Sequence, residues 1–90
     1  MIRLFIRHKV ADYKTWRKTY DAFESERKAM GAGGHVVFQS ADNPNDVTAW
    51  HDFATLEKAK SFATSDHLKE AMKSADVLGK PEIWFATQAH

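Results

Sequence analysis

The stretch H-V-V-F-Q-S-A-D-N-P-N-D-V-T-A-W-H-D-F at positions 35–53 decides the fold. Its first arm, 35–40, centres on Val36, Val37 and Phe38; its second runs from Val47 to Phe53. Between them, A-D-N-P-N-D groups Asp, Asn and Pro, whose fixed or locally hydrogen-bonded backbones favour a turn. Two β-prone runs across a loop of about six residues predict a β-hairpin.

Helical patterns flank this hairpin. Upstream, Tyr13, Trp16, Tyr20, Phe23, Arg27 and Met30 recur at steps of three and four, one aromatic-rich face of a helix. Lys18, Glu24, Glu26 and Lys28 fill the other side. Asp12 is placed to cap its start, and Gly31 stands where a left-handed residue ends a helix, so one helix is predicted over 13–30. Downstream, Thr55 caps a helix carrying Leu56, Ala59, Phe62 and Ala63. Ser65 restarts it with Leu68, Ala71, Met72 and Ala75, which predicts a break near Thr64–Ser65.

A strand closes each end. Ile2, Leu4, Ile6 and His8 alternate with Arg3, Phe5, Arg7 and Lys9. Residues 77–81 are expected to form a loop punctuated by Gly79 and Pro81, followed by a strand over 82–88. The order is βαββαβ, and right-handed crossovers give the α+β ferredoxin-like arrangement with an antiparallel four-stranded sheet. Both helices then cover one sheet face. The other face carries Phe5 and other strand side chains that a monomer leaves wet. A second copy is the simplest cover, and two such sheets face to face form a barrel.

Ninety residues suit one domain spanning 1–90. A chain this short buries only roughly 60–65% of its unfolded surface, so it needs support from a disulfide, a metal or a partner. No cysteine is present, which excludes disulfides, thiolate metal sites and a cysteine nucleophile. Self-association remains. Thirteen basic and twelve acidic residues leave a net charge of +1 without a concentrated basic face, so no nucleic-acid partner is expected. Arg3 and Arg7 interrupt the apolar start, unlike a signal peptide, and no apolar run approaches the ~20 residues of a membrane span. The expectation is a soluble, cytoplasmic protein with no membrane partner.

The segment R-H-K-V-A-D-Y-K-T-W-R-K-T-Y-D at 7–21 resembles the opening of small bacterial proteins grouped with the antibiotic-biosynthesis-monooxygenase-like, or dimeric α/β-barrel, superfamily. So do A-D-N-P-N-D-V at 41–47, L-E-K-A-K-S-F-A-T-S-D-H-L-K-E-A-M at 56–72 and G-K-P-E at 79–82. The resemblance covers nearly the whole chain and implies a homodimer. The superfamily includes cofactor-independent quinone-forming oxygenases, heme-degrading enzymes, lactone isomerases and polyketide cyclases, so fold alone does not choose an activity. Its pockets usually lie between the sheet and the helices of each subunit. The candidates for lining one here are Tyr13, Trp16, Tyr20, Phe62, Leu68 and Met72, which suit a flat apolar or aromatic ligand or simply fill the core. The heme-degrading members use a strand-one Asn, a strand-three Trp and a helix-two His. Trp50 and His67 lie on the corresponding elements, whereas strand one offers His8 and no Asn.

His8 continues the apolar face of strand one and is the candidate catalytic residue, a general base; the alternatives are a heme or metal ligand and a structural strand-end histidine. A cofactor-free oxygenase needs a dry pocket, such a base and a polar group for the anion formed. Arg7 or Arg17 would supply that group if they turned inward, and Tyr20 or Trp16 would orient the ring. His35 and His51 lie on the two hairpin arms, and loop length leaves open whether they share a face; if they do, Asp52 or a partner chain would complete a metal site. No H-x-H or H-E-x-x-H spacing supports one, so neither metal nor cofactor is expected. Asp42 and Asp46 are explained by turn hydrogen bonding. The leading function class is a small oxygenase or cyclase acting on an aromatic or polyketide-like molecule; the alternatives are a non-catalytic ligand-binding or stress-related dimer and a heme- or metal-binding protein using His8, His35 or His51.

Overall fold

A computed structural model describes residues 1–89. The elements are β1 (Ile2–Val10), α1 (Tyr13–Ala22), α2 (Glu24–Ala29), β2 (His35–Gln39), β3 (Asp46–Phe53), α3 (Leu56–Ala63), α4 (Asp66–Ser74) and β4 (Val77–Ala86). The four strands form one antiparallel sheet in the order β2-β3-β1-β4. This is the ferredoxin-like βαββαβ topology.

Alternation on β1 sets the two faces. Leu4, Ile6, His8 and Val10 are buried, and their β3 neighbours Val47, Ala49, His51 and Phe53 are buried with them. The helices cover this face with Trp16, Phe23, Ala59, Phe62, Leu68 and Ala75. Leu4, Val47, Phe53 and Phe62 are the largest fully buried side chains. Each contributes about 1.5–3 kcal/mol from its removal from water.

Asp12, Thr55 and Ser65 cap α1, α3 and α4, each side chain accepting from the backbone N–H three residues on. Gly31 has φ +98°, the left-handed conformation that a side chain disfavours. The helix breaks at Thr64–Ser65 as expected.

Three local expectations are corrected. The first helix is two segments, interrupted at Phe23, whose N–H is shared between the carbonyls of Thr19 and Tyr20. Arg27 reaches back to donate to the Tyr20 carbonyl, replacing the bond that a continuous helix would have made there. Residues 77–81 are not a loop. β4 starts at Val77, and its pairing with β1 jumps from Arg7–Glu82 to Lys9–Leu78. This β-bulge absorbs Gly79 (φ +70°) and Pro81, which an edge strand tolerates because half of its backbone groups need no partner. Asp46 does not serve the turn. Its carboxylate is held by both Arg7 Nε and Nη2, at 3.1 and 2.8 Å, while within the turn Asn43 Oδ1 accepts from Asn45 N and the Asn45 side chain accepts from the distant Tyr13 N–H.

Candidate functional site

The buried face does not close completely. A cavity of about 50 Å³ lies between the sheet and the helices. Its floor is Leu4, Ile6 and His8 of β1 beside Ala49 and His51 of β3. Ala49 sits opposite Ile6, so the centre of the floor has a short side chain where neighbouring positions are long. Trp16, Tyr20 and Phe23 form one wall, and Phe62, Leu68 and Met72 form another. Thr19, Phe23 and Ala71 also border an outer groove between α1 and α4.

His8 is only 6% exposed, and neither ring nitrogen has a hydrogen-bond partner. Its ring meets the edge of Trp16 at 5.6 Å. Burial lowers its pKa to about 4, against a weaker upward pull from Asp46, so the ring is neutral at pH 7. It is also the β1 residue at which β4 bulges away.

At the other end of the floor, His51 Nε2 is 2.9 Å from the Tyr20 hydroxyl, while His51 Nδ1 is buried without a partner. Burial, then the nearby Arg27 and His35, lower the His51 pKa to about 3. Burial also raises the Tyr20 pKa. The guanidinium of Arg27 lies 3.8 Å from the centre of the Tyr20 ring. Trp16 and Tyr20 stack at 4.8 Å, so an aromatic row links the His8 end to the His51 end.

The candidates from the sequence separate into three groups. His8, Trp16, Tyr20, Phe62, Leu68 and Met72 line the cavity. Tyr13 packs on Trp16 at 5.8 Å but stands outside the lining. Trp50 and His67 are not brought to the cavity at all. Trp50 faces the opposite side of the sheet, under Arg3 at 3.5 Å. His67 is on the surface of α4, with Nδ1 3.3 Å from Glu26. Both follow from facing: one residue of shift on a strand reverses the side chain, and position 67 lies on the solvent side of its helix.

Arg7 and Arg17 do not turn inward; they pair with Asp46 and Asp21. His35 and His51 do share a face, directly opposite in register and stacked at 5.8 Å. Asp52 cannot complete a site with them, because it lies on the other face and holds Arg3 through two bonds of 2.9 and 3.1 Å. Among the described residues no group of three potential ligands surrounds a metal position. The residues missed were Arg27 and Ala49. Arg27 had a signal, a charge within an apolar helical stripe; Ala49 had none, because an alanine in a strand does not announce a void.

No protein-family profile matches the chain, and no curated protein is detectably similar in sequence. Solved structures match it closely in fold. A provisional antibiotic biosynthesis monooxygenase from Bordetella bronchiseptica superposes with a TM-score of 0.85 at 15% identity, over 99% of this chain and 97% of that one. SnoaB, a cofactor-independent oxygenase from Streptomyces nogalater, gives 0.80 at 9% identity, over 99% and 93%. Another antibiotic biosynthesis monooxygenase gives 0.78 at 7% identity, over the whole of both chains. The chain therefore has the fold of the antibiotic biosynthesis monooxygenase structures over nearly its full length.

Proposed function

We propose that this chain forms a homodimeric α/β barrel whose helix-side cavity admits a flat aromatic or polyketide-like molecule and acts on it as a cofactor-independent oxygenase or cyclase, with His8 as the general base. The observation that carries this reading is the unpartnered imidazole of His8. A buried polar group normally finds a partner, and one left without any on a cavity wall is suited to a ligand that supplies it. The likeness to SnoaB supports oxygenase chemistry as the leading form. His8 would take the proton of a phenol or enol. The electron-rich anion then reacts with dioxygen, one oxygen atom entering the ring as a carbonyl and the other leaving as water with the hydrogen of the oxidised carbon and the proton returned by His8. In the empty cavity His8 is a weak base, with its pKa near 4. The ligand anion beside it would stabilise the imidazolium and raise that value toward neutrality.

Entry requires movement. A cavity of about 50 Å³ is smaller than the ~150 Å³ that admits benzene. The mobile part is assigned to α4, bounded by the break at Thr64–Ser65 and by Asp76, a non-glycine residue at φ +56°. Met72 of α4 is an unbranched, adaptable side chain on the cavity wall.

The second subunit covers the outer sheet face. Val36, Phe38, Leu78 and Trp84 are exposed there, and Phe5 and Trp84 stack at 5.2 Å into a flat aromatic plate. Four of the charges on this face are already neutralised in the pairs Arg3–Asp52 and Arg7–Asp46, which lowers the cost of covering them.

The test is turnover of an electron-rich phenol such as an anthrone, followed by oxygen uptake. His8→Gln should abolish most turnover while folding and ligand affinity persist. Unchanged turnover in that variant removes His8 from the chemistry. The low pKa of His8 also favours a second reading, a non-catalytic ligand carrier. In that case no phenol turns over in the native protein and His8→Gln changes affinity alone.

A further inference from the structure

Arg27 is a buried cation without an acidic partner. It is 3% exposed, yet none of the ion pairs among the described residues involves it. Asp21 and Glu24 act on it only from beyond ion-pair distance. One of its N–H groups is spent on the Tyr20 carbonyl, and its face is laid on the Tyr20 ring. These contacts hold the side chain in place but leave its charge uncompensated. A guanidinium taken from water is costly unless an anion meets it.

The cavity is where that anion would sit. Arg27, Tyr20 and His51 all line it, and His51 Nδ1 is a second buried group there without a partner. The rest of the nearby wall is apolar, from Phe23 and Phe62. His8 stands four strand positions from Leu4, the residue that faces His51 in register, so the two imidazoles are roughly 14 Å apart along the sheet. The cavity therefore runs along a hydrophobic floor, with His8 near one end and Arg27, Tyr20 and His51 near the other.

We infer that the Arg27–Tyr20–His51 end is an anion-receiving subsite, and that the ligand is an aromatic acid whose carboxylate or equivalent oxyanion docks there while its ring extends toward His8. This rests on the cavity being a ligand site, and adds the charge and orientation of what enters it. Arg27 would act as a binding residue, and His51, accepting from the Tyr20 hydroxyl at Nε2, would carry its one N–H on Nδ1 and donate it to the oxyanion.

The probes are 2-naphthoate and its uncharged isostere 2-naphthamide, titrated calorimetrically at neutral pH against the full chain. The native protein should prefer the acid by roughly tenfold or more, the scale of a charge-assisted hydrogen bond. Arg27→Met keeps the apolar bulk and removes the charge, so it should fold; it should weaken naphthoate to the level of the amide and leave the amide unchanged. Arg27→Lys, which keeps the charge without the planar fork, should retain part of the preference. Equal binding of acid and amide by the native protein overturns the anion assignment and leaves the pocket standing. Equal weakening of both by Arg27→Met overturns it too, since the residue would then be structural. Binding of neither probe by the native protein overturns the pocket itself and this subsite with it.

Discussion

His8 and His51 set how the protein responds to acid. Both are buried and neutral when folded, with pKa values near 4 and 3, against about 6.5 for an exposed histidine. Between those values the unfolded chain binds protons that the folded chain refuses. Stability is therefore full above about pH 6.5 and falls as pH drops toward 4 and then 3, by up to about 1.4 kcal/mol per pH unit for each histidine. Asp46 and Asp52, whose pKa values are lowered first by hydrogen bonds from Arg7 and Arg3, add their loss only below the usual carboxylate range. Urea denaturation from pH 8 to pH 4 should show this decline, and His8→Leu should roughly halve its slope. A flat profile in the native protein would mean that both rings reach water, and a halved slope that one of them does. Of the two, His8 could be noticed in the sequence, as a polar residue continuing an apolar alternation. The isolation of its ring could not, because that depends on what α1 and β4 fail to offer.

Among the helices that wall the cavity, α4 is lightly held. Only Leu68 on this helix is buried, while Ala71 and Met72 are partly exposed. Its start depends on Ser65, whose hydroxyl accepts from Leu68 N at 3.2 Å and donates to Phe62 O at 2.8 Å. Ser65→Ala should cost about 1 kcal/mol, or roughly 4–8 °C in Tm. Amide exchange should speed up in 66–74 before it changes in β1 or β3. Uniform acceleration would show that α4 is not an independent unit and weaken its assignment as the moving wall. Caps of this kind were legible, since Asp12, Thr55 and Ser65 each satisfy a local geometric demand within four residues. The interruption at Phe23 was not, because the group that completes it, Arg27, arrives from the side-chain end of the next segment. The β4 bulge was hidden for the opposite reason. Gly79 and Pro81 argue locally for a loop, and pairing with a central strand overrode them.

For the whole molecule, the outer sheet face sets the expected assembly. Phe38 is 51% and Trp84 42% exposed on a face where Arg3 and Arg7 are already paired with Asp52 and Asp46. Sedimentation equilibrium should find a dimer, and Phe38→Glu should shift it to monomer, because a carboxylate placed opposite a second apolar sheet loses its water without gaining a partner. A native monomer would leave the barrel without a basis. No helix among the described residues is long and apolar enough to cross a membrane.

The sequence alone determined the element order, the inward face of β1, the caps and the turn at 41–46. Each rests on contacts within a few residues or on a period of two or 3.6, and such patterns survive without knowledge of the rest of the chain. The tertiary structure decided which polar groups meet. It paired Arg7 with Asp46 and Arg3 with Asp52 on one face, put Trp50 on that face, and gathered His8, Tyr20, Arg27 and His51 around a void on the other. Strand register and helix placement settle such meetings, and a void exists only once every neighbour has been positioned.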